Sequence, residues 1–183
     1  MGFKSAILLF TVIMMASCKG NHKIARGPVS SNLGAKGTPK LVAVISNYYN
    51  LKNALVATNA AQVKAASQQL LSASDSMVMY LQTDTPDLIT FGRYLDAIIT
   101  QSKVIAGLED ANCERQRLAF SPLSNNMFEL LKMTEVKNTG AYKQYCPMAF
   151  DNKGAIWLSD ENEIKNPYFG EKMLECGEVT DSL

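Results

Sequence analysis

Four sulfur-bearing residues near the C-terminus are the ones whose type and spacing suggest chemistry. They are Cys146 and Met148 in "QYCPMAF", and Met173 and Cys176 in "GEKMLECGE". If residues 144–150 are extended, Cys146 and Met148 project from one face, because strand side chains alternate with period two. If residues 171–176 form a helical turn, Met173 and Cys176 share a face as well, being three apart. Two thiols and two thioethers can then converge on one point. Soft sulfur donors select soft ions, Cu(I) above all, and reject magnesium or calcium. Thiolate ligands must lose their protons, so a site of this kind weakens towards acid pH.

The same two cysteines have a second possible fate. In an exported protein, thiols that meet in the fold form a disulfide by default, and a Cys146–Cys176 bridge pinning the C-terminal segment competes with a metal site. Isolated methionines are more often core filler than ligands. Spacing leaves both outcomes open, and unpaired buried thiols as a third. Cys113, in "DANCERQR", is the odd thiol: free, a disulfide partner or an extra ligand. Met77 and Met79 are two apart and diverge on a helix, one to the core and one to the surface.

The redox compartment follows from the N-terminus. "MGFKSAILLFTVIMMASCKG" carries one basic residue, Lys4, before an uncharged apolar run from Ala6 to Ala16. That run is too short to span a membrane and suits a secretory signal. Ala16-Ser17-Cys18 resembles the end of a bacterial lipoprotein signal. It implies cleavage after residue 17 and a lipidated Cys18, with the chain held to a bilayer by buried methylenes worth about 0.8 kcal/mol each. Lys19 and Gly20 carry no retention signal for the inner membrane, which makes an outer-membrane lipoprotein facing the periplasm the expectation. Residues 18–40 hold five basic residues and no acid, with scattered Gly, Ser and Pro, and read as a flexible basic tether. His22 reads as a solvated residue of it.

Residues 41–183 suffice for one domain with a real core. They contain 12 basic and all 17 acidic residues, a net charge of −5, so a nucleic-acid partner is not expected. The only histidine of the chain precedes this domain, which removes Ser-His and Cys-His mechanisms. There is no glycine-rich phosphate loop, zinc-protease helix or nucleophile elbow, and an enzyme is not expected. Asp160, Glu161 and Glu163 lack the spacing of a calcium loop and read as a solvated turn or helix start.

Four amphipathic segments must position the sulfurs. Leu41, Val44, Ile45, Tyr48, Leu51 and Leu55 recur at three- and four-residue spacing, the mark of a helix. Asn59 is a candidate cap for a second helix carrying Val63, Ala66, Leu70, Ala73 and Met77. Thr85-Pro86-Asp87 suits a third helix start, followed by Leu88, Phe91, Leu95, Ile98, Ile99 and Val104. A fourth carries Leu118, Leu123, Met127, Leu130 and Leu131, with a break expected at Ser121-Pro122. The fold class that follows is mainly α: an up-and-down four-helix bundle over 41–135. A small β-rich cap over 140–183 completes it, a hairpin around "DNKG" plus one short helix.

"YYNLKNALVATNAAQVKAASQQLL", "CERQRLAFSPLSNNM" and "YKQYCPMAFDNKGAIWLSDENEIKNPYFGEKMLECGEV" resemble the bacterial domain-of-unknown-function family 3347, over nearly all of residues 41–180. Members occur as exported lipoproteins and as an extra domain on periplasmic adaptor subunits of copper/silver efflux pumps. The resemblance implies heavy-metal handling, with Cys146, Met148, Met173 and Cys176 at the positions of a Cu(I) or Ag(I) site and an efflux adaptor or other envelope protein as partner. A shorter similarity is to heavy-metal-binding segments in which Cys-Pro-Met precedes histidine. Ala149 stands in that place here, which leaves a sulfur-only set. The alternative is a structural or interaction domain of the envelope with a Cys146–Cys176 disulfide and no metal.

Overall fold

A computed structural model describes residues 27–84 and 88–183 of the chain. The expected signal, Cys18, His22 and the Thr85-Pro86-Asp87 helix start lie outside the described residues. Four helices follow one another: α1 (Gly34–Val56), α2 (Ala60–Asp84), α3 (Leu88–Gly107) and α4 (Glu114–Met133). Each packs along its successor. Among the described residues no helix is long and apolar enough to cross a membrane.

The spacing argument holds closely in α1, where Leu41, Val44, Tyr48, Leu51 and Leu55 are fully buried. Asn59 caps α2, its side-chain oxygen accepting the Gln62 amide at 3.1 Å. Met77 is buried and Met79 68% exposed, as their two-residue separation requires. Three expectations are corrected. Helix α1 reaches back to Gly34, and residues 28–32 pack on the end of α4, with Asn32 donating to the Thr134 carbonyl at 3.0 Å and Asn138 to that of Pro28 at 3.1 Å. The stretch from 27 to 40 therefore belongs to the folded unit rather than to a tether. Helix α4 runs through Pro122 without a break. The amide that Pro122 lacks would have bonded Leu118, whose side chain lies on an open face, 60% exposed, while Leu123 and Met127 are buried beyond it. On α3 it is Ile105 that is buried, and Val104 is 45% exposed.

The cap is a three-stranded antiparallel sheet, β1 (Tyr142–Cys146), β2 (Ala155–Ser159) and β3 (Glu178–Ser182), with β1 in the centre. The hairpin β1–β2 aligns Gln144 with Trp157 and Cys146 with Ala155. Its connection bends through left-handed backbone at Phe150, Asp151 and Asn152 before Gly154. A short 3₁₀ turn, Gly170–Met173, is the expected short helix. Strand β3 extends the expected hairpin, pairing with β1 with Tyr145 opposite Glu178.

Strand β2 packs on both α4 and α1, so the sheet is wedged where the last helix meets the first. An aromatic seam joins them. Tyr48 of α1 stacks on Phe120 of α4 at 5.4 Å, Phe120 meets Tyr168 at 5.9 Å, and Tyr168 meets Trp157 at 6.0 Å. The buried Tyr48 hydroxyl pairs with Ser124 at 2.8 Å and accepts the Leu158 amide at 3.0 Å, which fixes the height of β2 on the bundle.

Candidate functional site: a thiol pair on the cap

Cys146 is the last residue of β1 and is wholly buried, on the strand face it shares with buried Gln144. Gln144 donates its side-chain amide to the carbonyls of Glu161, Asn162 and Glu163 at 3.0 to 3.3 Å. That bonding draws the 160–164 turn over the sheet. From there residues 165–177 fold back beside β1.

Asn166 shapes this return. It is fully buried. Its side-chain amide donates to the Cys176 carbonyl at 2.7 Å, and its side-chain oxygen accepts the Tyr168 amide at 2.8 Å. Its own amide donates to Leu174 at 2.8 Å, and its carbonyl accepts Gly170 at 3.2 Å. The Cys176 amide closes onto the Met173 carbonyl at 3.1 Å, so Met173 and Cys176 stand on one turn as their spacing predicts. Gly177 follows with φ +146, and a Cβ there would meet the Trp157 ring at 2.8 Å. Only glycine lets the chain pass so close to the indole and enter β3.

These constraints bring two thiols together. Cys146 lies one residue past the Tyr145–Glu178 pair and Cys176 two residues before it, at the same end of the β1–β3 ladder, so the two thiols are neighbours and the Met148 main-chain amide is directed towards the Cys176 sulfur. The two are not bridged, and Cys146 is buried while Cys176 is half-buried. Donation from the Cys176 thiol to the Cys146 sulfur comes first, then burial and the negative charge Cys146 carries when ionised; together they push the Cys176 thiol up to about 11, and the Met148 amide pulls the other way. Removing the Cys176 proton forfeits that interaction and leaves a charge in a half-apolar place.

Cys176 and Met173 line a shallow surface hollow of about 410 Å³ with Leu174, Glu171 and Glu175. Its two carboxylates put negative charge at the mouth, favourable to an incoming cation. Met148 does not share the Cys146 face in the expected way. The strand stops at Cys146, Pro147-Met148 is a turn, and the Met148 side chain is 48% exposed. Its main-chain amide reaches the pair. The structure thus joins Cys146 to Cys176 and Met173 to Cys176, and leaves the Met148 thioether at the surface.

Cys113 is a separate thiol. It is buried and unbridged, in left-handed backbone at the start of α4 with φ 59. Burial pushes its thiol up, opposed by the nearby Arg117 charge. Asp160, Glu161 and Glu163 sit in an exposed turn, where Glu161 and Glu163 pair with Lys165 at 2.7 and 3.2 Å. Among the described residues no three His, Cys, Asp or Glu side chains are grouped to hold a metal ion. What the cap brings together is two thiols, with the Met173 side chain lining the same hollow as Cys176.

Asn166, Gln144 and Arg117 are the residues that spacing does not single out. Arg117 of α4 is 7% exposed and donates to the Pro167 carbonyl at 2.8 Å, the Leu55 carbonyl at 3.0 Å and the Thr58 hydroxyl at 2.8 Å. It ties the segment that carries Asn166 to the end of α1. The one available signal was "NPYFG", legible as a turn but not as the anchor of a cysteine.

No curated protein and no solved structure matches the chain. A family model described as "Protein of unknown function (DUF3347)" matches residues 44–139. The match covers the helical bundle and ends before β1, so the thiol pair lies beyond it and the resemblance over 41–180 is confirmed for the bundle. The chain belongs to the DUF3347 family.

Proposed function

We propose that this protein binds Cu(I) or Ag(I) through Cys146 and Cys176, with Met173 as a neighbouring thioether and Met148 as an exposed one that meets the ion first. Lipidation at Cys18 would tether it to the outer membrane facing the periplasm, where it buffers the ion or passes it to an efflux adaptor or another envelope protein. The role is binding, not catalysis.

The observation that carries this reading is the placement of the two thiols at the same end of the β1–β3 ladder, beside a hollow lined by Cys176, Met173 and two carboxylates. An ion bound by both sulfurs replaces their two thiol protons and offsets the negative charge that opposes ionisation. Binding therefore releases protons and strengthens as pH rises. Thioethers are neutral and weaker than thiolates, which suits ligand-by-ligand transfer.

Anaerobic titration of the fully reduced chain with Cu(I) or Ag(I) against a competing chelator tests the reading. One ion per chain is expected, with affinity falling at least tenfold in Cys146→Ser and in Cys176→Ser, and less in Met148→Leu. Absence of stoichiometric binding, or binding unchanged in both serine variants, refutes it. The same thiol placement also favours the second reading, an envelope domain with a Cys146–Cys176 bridge, for which Cys146 and Cys176 resist alkylation until reductant is added.

A further inference from the structure

The two readings of the thiol pair need not exclude each other. We propose that Cys146 and Cys176 are a reversible dithiol–disulfide couple, in which the dithiol holds the soft metal and the disulfide releases it. The metal half rests on the function proposed above; the redox half does not.

Three features support the couple. The two cysteines sit at the same end of the β1–β3 ladder, Cys146 one residue past the Tyr145–Glu178 pair and Cys176 two residues before it, and their thiols influence each other directly, so bridging needs little movement of backbone. Their exposures differ: Cys146 is sealed on the central strand, paired on both sides, while Cys176 is half-buried on a turn that borders the surface hollow. Cys176 is thus the sulfur an external reagent reaches, and Cys146 the resolving one. The backbone is held independently of any bridge, by Asn166 on the Cys176 side and by β2 and β3 on the Cys146 side. Both redox forms can therefore keep the same fold. A third thiol is not in competition among the described residues, since Cys113 is buried at the start of α4.

The oxidant is a small-molecule disulfide, R–S–S–R, such as oxidised glutathione. Cys176 loses its proton to solvent and its sulfur bonds to one R–S group, expelling the other as a thiolate that takes up a proton. Cys146 then loses its proton and attacks the Cys176 sulfur, expelling the second thiolate, which is protonated in turn. Two protein thiols are oxidised, one R–S–S–R becomes two R–SH, and no proton is gained or lost overall. Reduction by excess R–SH runs the same steps backwards. In the bridge neither sulfur is a thiolate, so the metal loses both strong donors.

The full chain is equilibrated anaerobically in glutathione buffers of graded ratio, acid-quenched, alkylated in denaturant and mapped by peptide mass. Silver binding is then measured on each form. A Cys146–Cys176 bridge is expected that forms in oxidised buffer, disappears in reduced buffer without denaturant, and lowers silver affinity at least tenfold. Cys113→Ser should give the same redox curve. Both cysteines remaining alkylatable in excess oxidised glutathione overturns the proposal, as does a bridge that reduces only in denaturant. Equal silver affinity in the two forms overturns the switch. A reversible bridge with silver bound by neither form supports the couple and refutes the metal function instead.

Discussion

Asn166→Ala tests whether the thiol pair is assembled by hydrogen bonds rather than by apolar packing. The substitution deletes two side-chain bonds, one to the Cys176 carbonyl at 2.7 Å and one from the Tyr168 amide at 2.8 Å. Asn166 is fully buried and Tyr168 6% exposed, so the orphaned Tyr168 amide has little access to water, and the carbonyl of half-buried Cys176 has somewhat more. An unpartnered buried group costs about 1–3 kcal/mol, so two cost about 2–6 kcal/mol, and hydration of the Cys176 carbonyl trims this to about 2–5 kcal/mol. For a domain of this size each kcal/mol lowers the melting temperature by about 2–4 °C. Thermal unfolding by circular dichroism reads the first effect. The second is local: Cys176 loses its anchor, and its alkylation in the native state should accelerate by at least tenfold. Asn166→Asp keeps an acceptor for Tyr168 but loses the donor to Cys176, so it should recover part of the stability and none of the protection. A stability loss below about 0.5 kcal/mol with unchanged alkylation would contradict the assignment.

Other consequences are as direct. Arg117→Met removes charged donors from the Pro167 and Leu55 carbonyls and the Thr58 hydroxyl, at about 1.5–3 kcal/mol per bond to a charged group before relaxation; a net loss of at least 3 kcal/mol in urea unfolding is expected. Lys52 is 1% exposed, with its ammonium 3.4 Å from Ser159. Burial lowers its affinity for a proton, opposed by Asp160 and Glu161 and helped by Lys165. The unfolded chain then holds more protons than the folded one between the lowered value and 10.5, so stability rises with pH across that window. Lys52→Met should lack this rise and be the more stable protein below it, in unfolding titrations at pH 7 and above; a parallel pair of curves refutes the account. Because the Cys176 thiol ionises at about 11, its reaction with iodoacetamide should climb roughly tenfold per pH unit from 7 to 10. A plateau below pH 9 would refute that.

The helices were legible because burial in a bundle repeats every three to four residues, and α1 and α2 obey this closely. Legibility fails where apolar residues are adjacent. Val104-Ile105 and Leu118-Ala119-Phe120 each offer two phases, and the burial of Ile105 and Phe120 is decided by neighbours in space. Pro122 reads as a break because local propensity is all that a sequence window contains, whereas tertiary packing of Leu123 and Met127 carries α4 through it. Strand β3 leaves no trace. All five residues of Glu178–Ser182 are exposed, and the strand is held by main-chain bonds to β1 that do not depend on side-chain type. The thiol pair was half legible. Turn spacing correctly joins Met173 to Cys176, but the period-two argument that put Met148 beside Cys146 fails, because Pro147 ends the ladder. Asn166 acts through backbone groups of residues 168, 174 and 176, a pattern with no periodicity to detect.

The seam between bundle and cap makes the two one folding unit, although the family match stops at residue 139. Several of the buried polar groups on the bundle look outward to the cap for partners: Tyr48 to Leu158, Lys52 to Ser159, Arg117 to Pro167. Trp157 and Leu158 are fully buried on a strand that packs against both α1 and α4. A chain ending at residue 139 would expose the Tyr48–Phe120 stack and leave a buried ammonium and guanidinium without these acceptors. Apolar area lost to water costs about 25 cal/mol per Å², and each orphaned polar group adds about 1–3 kcal/mol unless water reaches it, together comparable to the 5–15 kcal/mol that holds a typical domain. Residues 27–139 expressed alone should therefore be helical by far-ultraviolet circular dichroism but unfold without a cooperative transition. A sharp, full-chain-like melting curve from that fragment would show that the bundle is independent and the thiol-bearing cap an appendage to it.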